Sequence, residues 1–292
     1  MAAFKRLIRF VPAGGNASSI LLGEPVDAAL DVGRALRNGQ DVQARVFSGQ
    51  SALSPGSLTD KVEKVGKVLS PLAQKEVGTI RCIGLNYKQH AAEVKMDEPN
   101  EPVVFMKPDT ALADPWPAPT IIPKFTVASN TADYESELAV VIGKACKDVS
   151  EASALDYVLG YTAANDVSCR DKQFSQSQWC FSKSFDGACP LGPVLVSPSL
   201  VQDPAQLRIR GFNNGKKVQD CGLDDLIFSV PKLVSFLSQG TTLPPGTVIL
   251  TGTPAGVGVG MSPKGYLKDG DEFSVEILPH IGTMTTVYQA QK

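Results

Sequence analysis

Hydrophobic and polar positions divide the chain into two textures. Up to about residue 75, short apolar runs sit between longer polar stretches. Lys5–Val11 and Ser19–Leu22 read as strands, and Pro25–Asn38 reads as a helix closed by Asn38-Gly39. Leu58–Leu69 is polar and helix-compatible, with Val62, Val65 and Leu69 at helical spacing. From Gly78 onward strand-like runs come quickly: Thr79–Leu85, Val103–Lys107, Leu138–Ile142, Val194–Val196, Leu207–Phe212, Val248–Thr251, Glu272–Ile277 and Met284–Tyr288. Proline and glycine punctuate them, and Asn213-Asn214-Gly215 predicts a tight hairpin. Helical patterns are few: Lys88–Val94, Ala152–Leu155, Arg170–Phe174 and Val230–Leu237. The regular βα alternation of a doubly wound sheet is missing. The expectation is an α+β, β-dominated chain: a small N-terminal α/β accessory domain over 1–75 and a larger domain over 76–292.

One run breaks the apolar pattern. In Thr131 to Gly143, TADYESELAVVIG, the second half is a buried strand, and alternation puts Glu135 and Glu137 on the face that Ala139 and Val141 continue. Two like charges about 7 Å apart then point the same way. A polar strand edge in water would tolerate them, and so would a bound cation. Asp166, in YTAANDVSCRD, follows an apolar run of small residues and supplies a third acid. Three carboxylates repel one another unless a hard cation balances them, and Mg²⁺ or Ca²⁺ would suit such oxygens.

Composition narrows the chemistry. The chain has 292 residues, 28 basic and 30 acidic, for a net charge of −2. Nothing in that balance suggests nucleic acid, and no apolar run reaches the eighteen or so residues of a membrane span. The N-terminus carries Lys5, Arg6 and Arg9 without an apolar secretory core. It reads as an opening strand, which makes the cytoplasm the expected compartment and mitochondrial import the alternative. Six scattered cysteines form no CxxC pair and are expected to be reduced. With only His90 and His280, a zinc site is nearly excluded, so any metal must be held by oxygen.

Three further groups could carry chemistry. In NYKQHAAE, His90 and Glu93 lie at i and i+3 of a helical stretch, where a carboxylate would orient an imidazole as a base. An exposed, incidental ion pair is the plainer reading. Lys183 sits among aromatic and turn residues in FSKSFDGACPLGP and could steady an enolate or carboxylate, or could be a solvated loop lysine. VILTGTPAGVGVG runs from a strand into a glycine-rich loop that is neither a P-loop nor a Rossmann turn. It is a tight turn, or a cradle whose backbone N–H groups and Thr253 meet a substrate carboxylate.

Together GLNYKQHAAE, VVFMKP, DYESELAVVIGK, AANDVSCRDKQ, KSFDGACPLGP and ILTGTPAGVGVG resemble the fumarylacetoacetate hydrolase family from about Ile80 to the C-terminus. The N-terminal unit and Met261–Asp271 look most like its FAH-domain-containing-2 subgroup and bacterial relatives. The resemblance implies a mixed β-roll catalytic domain, usually a homodimer, that binds Mg²⁺ or Mn²⁺. Position by position, Glu135, Glu137 and Asp166 match the metal carboxylates, Lys183 the active-site lysine, and His90 and Glu93 the lid pair. Gln173, Thr253 and Arg170 match substrate contacts. Ser182 stands where many members have glycine, and Cys169 where alanine is usual. The extra upstream metal acid of fumarylacetoacetate hydrolase itself has no counterpart, nor do the aromatic contacts that follow Gln173. The implied substrate is a small 2-oxo or β-keto acid whose C3 carries developing negative charge. Loss of a proton gives tautomerisation, loss of CO₂ decarboxylation, and loss of an acyl group hydrolysis. The subgroup resemblance makes oxaloacetate keto–enol tautomerase the expected activity. Acylpyruvate hydrolase and oxaloacetate decarboxylase are the alternatives, followed by isomerase or decarboxylase work on a dienoic intermediate.

Overall fold

The computed structural model describes residues 3–16 and 18–292, so Met1 and Ala2 of the basic N-terminal stretch lie outside the described residues. The N-terminal unit contains β1 (Arg6–Pro12), β2 (Leu21–Pro25), α1 (Val32–Arg37), β3 (Gln43–Phe47) and β4 (Leu58–Leu69). Helix α1 is shorter than its apolar pattern. Pro25 closes β2, and the helix starts only where Asp31 caps it by accepting from the Arg34 N–H at 3.1 Å. The helical reading of Leu58–Leu69 is overturned: this is one long strand between β1 and β3. A β-bulge explains the misreading. Val68 opposes Phe10 and Lys67 opposes Val11, but Val65 opposes Pro12, so Gly66 is the extra residue. The bulge brings Val65 and Val68 to the buried face three positions apart, which mimics helical spacing.

The rest of the chain forms β5 (Ile80–Gly84), α2 (Lys88–Glu93), β6 (Val103–Lys107), β7 (Leu112–Ala113), β8 (Pro119–Ile122), α3 (Lys124–Ser129), β9 (Ala132–Asp133) and β10 (Ser136–Ile142). It continues through β11 (Val158–Asn165), β12 (Ser168–Cys169), α4 (Arg170–Phe174), α5 (Cys180–Lys183), β13 (Cys189–Val196), β14 (Arg208–Asn213) and β15 (Lys216–Gly222). It ends with α6 (Val230–Ser238), β16 (Val248–Leu250), β17 (Glu272–Leu278) and β18 (Gly282–Ala290). The expected hairpin is present between β14 and β15. Asn214 and Gly215 both take positive φ, as the tightest hairpin turns require. Strand β11 lacked a clear signal in the sequence because its run VLGYTAAN is short of branched residues, and Ala152–Leu155 lies inside a 3₁₀ turn instead of an α-helix.

Eleven strands make one sheet, in the order β2-β3-β4-β1-β13-β11-β10-β16-β5-β6, with β7 added beside β13. Five make a second sheet, β15-β14-β17-β18-β8. Strand β10 is buried along its whole length. Leu138, Val140 and Ile142 join Ile209, Phe273 and Val275 of the second sheet in one apolar cluster. Ala139 and Val141 face Cys82, Leu191 and Leu250 in another. At roughly 1.5–3 kcal/mol for each large apolar side chain, burial of both faces fixes the register that carries the two glutamates. The α+β, β-dominated expectation holds. No helix among the described residues is long and apolar enough to cross a membrane, and all six cysteines are free thiols.

Candidate active site

The register of β10 against β11 assembles the acids. Ser136 pairs with Asn165, so Asp166, one residue past β11, falls beside Glu135. The Asp166 N–H donates to the Glu135 carbonyl at 3.0 Å, and the Asn165 side-chain oxygen accepts from the Glu135 N–H at 3.0 Å. Oxygens of Glu135, Glu137 and Asp166 lie within 4.8 Å of one another. Their residues are 7%, 1% and 0% exposed, so a polar edge in water is not what these acids form. Glu137 also accepts from the Gly252 N–H at 2.7 Å, which ties it to the glycine-rich loop.

Three cations are built in around them. Lys183, at the end of α5, donates to Asp166 at 2.7 Å, Ser168 Oγ at 2.8 Å and Glu135 at 2.9 Å, so every ammonium hydrogen is used. Burial alone would lower its pKa, but Asp166 and Glu135 raise it and the group stays charged. Lys107, on β6, lies 2.6 Å from Asp166 Oδ1 off the hydrogen-bonding direction and donates to the carbonyls of Ala188 (2.9 Å) and Lys183. Arg170, opening α4, meets Asp133 at 2.8 Å, Glu135 at 2.7 Å and the Gln173 side chain at 2.7 Å. Its Nη2 is buried and has no partner.

Charge counting tests whether these residues fit a metal. Asp133, Glu135, Glu137 and Asp166 bring four negative charges, and Lys107, Lys183 and Arg170 bring three positive ones. One negative charge is in excess. Burial, then Asp166 and Glu135, drive the Glu137 carboxyl well above its usual range. Glu135 goes the other way: burial raises its pKa, but Lys183 and Arg170 outweigh that and hold it ionised. A divalent cation among the three acids would turn that excess into one net positive charge with Glu137 ionised, so the donor set fits a hard ion.

A cavity of about 290 Å³ opens over this cluster. Of the residues singled out in the sequence, His90, Glu135, Arg170, Gln173, Lys183 and Thr253 line it. Glu137 and Asp166 lie beneath its floor, and Glu93 stands behind His90. His90 Nδ1 is 2.9 Å from Glu93 Oε2, and the other Glu93 oxygen accepts from the Gly256 N–H at 2.9 Å. Burial works against the Glu93 charge, yet the bonds from His90 and Gly256 bring its pKa below the usual value. Asn86 holds this helix in place by donating to the carbonyls of Thr251 (2.7 Å) and Phe228 (3.1 Å).

Several residues escaped the sequence reading. Asp133 accepts from Arg170 Nε and from the Gly258 and Val259 N–H groups at 2.8 and 2.9 Å, joining α4 to the glycine-rich loop. Gln219, from the second sheet, donates to Thr253 Oγ1 at 2.8 Å. Lys107 and Asp133 stand inside the quoted motifs, so their place there was the available signal. Beyond Gln173, Phe174 and Trp179 both line the cavity, with Phe105 beside them.

A buried acid cluster that could hold a metal ion, open to a cavity holding an imidazole and an ammonium, is the layout of an enzyme. The family described as "Fumarylacetoacetate (FAA) hydrolase C-terminal" matches residues 79–288, and the chain belongs to the fumarylacetoacetate hydrolase family. Caffeoylpyruvate hydrolase of Neonothopanus nambi is 44% identical over 298 residues, covering 100% of this chain and 95% of that protein. Oxaloacetate tautomerase YisK of Bacillus subtilis is 40% identical over 221 residues, covering 75% of this chain and 72% of its own. Among solved structures, 2-hydroxyhepta-2,4-diene-1,7-dioate isomerase from Mycobacterium marinum superposes with a TM-score of 0.79 at 34% identity, covering 99% of both chains. The protein is therefore an enzyme of a family of metal-dependent isomerases, tautomerases and hydrolases.

Proposed function

We propose that the protein hydrolyses the C3–C4 bond of a 3-acylpyruvate that carries a bulky apolar acyl group. The observation behind this is the mixed lining of the cavity. Arg170, Gln173, Lys183 and Thr253 bring polar groups to its wall, and Val94, Met96, Val103, Phe105 and Trp179 add a broad apolar surface. A short dianion such as oxaloacetate would leave that apolar wall against water, whereas an acyl arm would cover it. The full-length similarity to a caffeoylpyruvate hydrolase supports the same reading.

Glu135, Glu137 and Asp166 would hold the cation, which we take to be Mg²⁺ or Mn²⁺ from its all-oxygen donors. When bound, it supplies Lewis-acid chemistry at the substrate oxygens. The chain's own groups do the rest. Arg170 Nη2 is the donor left free for the substrate's C1 carboxylate, and Gln173 and Thr253 flank it. Lys183 has no hydrogen to spare, so it acts as a fixed positive charge near the oxygen on which negative charge develops. Glu93 holds the proton of His90 at Nδ1, which leaves Nε2 to take a proton from water. The resulting hydroxide adds at C4, the C3–C4 bond breaks, and C3 receives a proton. The products are pyruvate and a carboxylic acid.

Oxaloacetate tautomerisation is the second reading, favoured by the 40% identity to named tautomerases over 72–82% of the chain. Residues 1–75 carry none of these groups and are assigned an accessory role beside a catalytic domain at 76–292. Exposed Val104 and Met106 on edge strand β6 favour a homodimer, which light scattering checks. Purified protein with Mg²⁺ is given benzoylpyruvate, acetylpyruvate and oxaloacetate, with pyruvate, CO₂ and enol absorbance followed. EDTA-sensitive release of pyruvate and benzoate supports hydrolysis. Loss of oxaloacetate enol with no cleavage of either acylpyruvate refutes it.

A further inference from the structure

The apolar surface of the cavity has its own architecture. The Lys183 ammonium sits 5.0 Å from the centroid of the Phe105 ring, over its face. Phe105 meets Trp179 edge-on, with centroids 5.8 Å apart and planes at 70°. Ammonium, phenyl and indole thus follow one another along the cavity wall. The indole lies where it does because residue 84, the last of β5, is glycine. A Cβ there would fall 2.3 Å from Trp179 Cζ3 and 3.1 Å from Cη2. Ser182 ties down the backbone of the same residue, its hydroxyl donating to the Trp179 carbonyl at 2.7 Å.

We propose that Trp179, seated against Gly84 and Phe105, is the specificity-determining residue that selects an aryl acyl group over a short one. The inference rests on the acylpyruvate reading. A planar ring lying along Phe105 reaches the indole and covers apolar surface that an acetyl group leaves bare. Selection then appears as a ratio of kcat/KM values.

The test compares benzoylpyruvate with acetylpyruvate in the Mg²⁺-loaded protein, in the Trp179→Ala and Trp179→Phe variants, and in Gly84→Ala. Loss of the indole is expected to lower the benzoyl-to-acetyl ratio about tenfold or more, with Phe restoring most of it. Gly84→Ala, which drives the indole off its seat, is expected to lower the ratio as well. A ratio unmoved in Trp179→Ala, or equal losses on both substrates, overturns the proposal. Binding is read separately. Trp116 and Trp179 are the two tryptophans, so Trp116→Phe leaves one indole, whose emission is read with excitation chosen to spare the tyrosines. Titration with 2-oxo-4-phenylbutanoate, which has no C4 carbonyl to attack, should quench it saturably, and pyruvate alone should not. If wild-type protein cleaves neither acylpyruvate, the hydrolase reading fails, while the titration still decides the chamber: no quenching sinks it.

Discussion

Lys107 is the residue whose removal tests the electrostatic account most directly. It is fully buried, 2.6 Å from an Asp166 that is equally buried, and it donates to two backbone carbonyls. Lys107→Met keeps the length and most of the volume of the stem. It leaves Asp166 with Lys183 as its remaining cation and strips the Lys183 and Ala188 carbonyls of a donor. Removing one partner of a buried ion pair costs about 3–5 kcal/mol, and one unpaired buried carbonyl costs about 1–3 kcal/mol by itself. Since Lys183 still neutralises part of Asp166, the total is set at about 3–4 kcal/mol, near the lower end for a lone pair. Domains of this kind have roughly 5–15 kcal/mol in hand, so the variant should fold, and urea unfolding without metal measures the loss. The same substitution raises the excess negative charge from one to two. Mg²⁺ should therefore shift the variant's urea midpoint more than that of the wild type. A loss under about 1 kcal/mol, set against that expectation, or an identical Mg²⁺ response in the two proteins, would refute the charge count.

Other substitutions probe separate links. Replacing His90 with Ala should lower kcat for acylpyruvate cleavage about 10²–10⁴-fold while leaving the Mg²⁺-dependent shift in Tm unchanged; equal activity would remove His90 from the reaction. Asp133→Asn uncouples Arg170 from the Gly258 and Val259 N–H groups, so KM should rise more than kcat falls and the 255–265 loop should become a site of limited proteolysis. At Asp220, burial works upward, but Lys217, Arg208 and Arg210 bring the carboxyl down to about 2. A depressed folded-state pKa stabilises above the unfolded value of about 4 and is lost as pH falls toward 2. Asp220→Asn should then cost about 1 kcal/mol at pH 7, and the gap should close by pH 2; a gap that stays constant counts against the assignment.

What could be read in the sequence follows the range of the contacts involved. Glu135 and Glu137 were legible because strand alternation is a local rule and the apolar run after them is unbroken. His90 and Glu93 were legible because one helical turn joins them. Leu58–Leu69 was misread because a single bulged glycine shifts the register and produces a spacing of three. Lys107 on β6 and Asp166 just past β11 come from opposite sides of β10, and nothing local in VVFMKP says that its lysine is buried. Trp179 was missed for a related reason. It is six residues beyond Gln173, and its seat is a glycine nearly a hundred positions earlier.

The ladder between β1 and β13 has a practical corollary. Arg6 opposes Val196 and Leu7 opposes Leu195, and the Arg6 guanidinium clasps the carbonyls of Ala28 and Leu30, each at 2.7 Å. Trimming the gene back to residue 76 would strip the C-terminal end of β13 of that neighbour and leave a raw seam of unpaired amides in the sheet that carries the acids. The first seventy-five residues include none of the side chains that line the cavity, yet β1 is paired with β13, so a soluble core is better sought by grafting new N-terminal units onto β1 than by cutting it away.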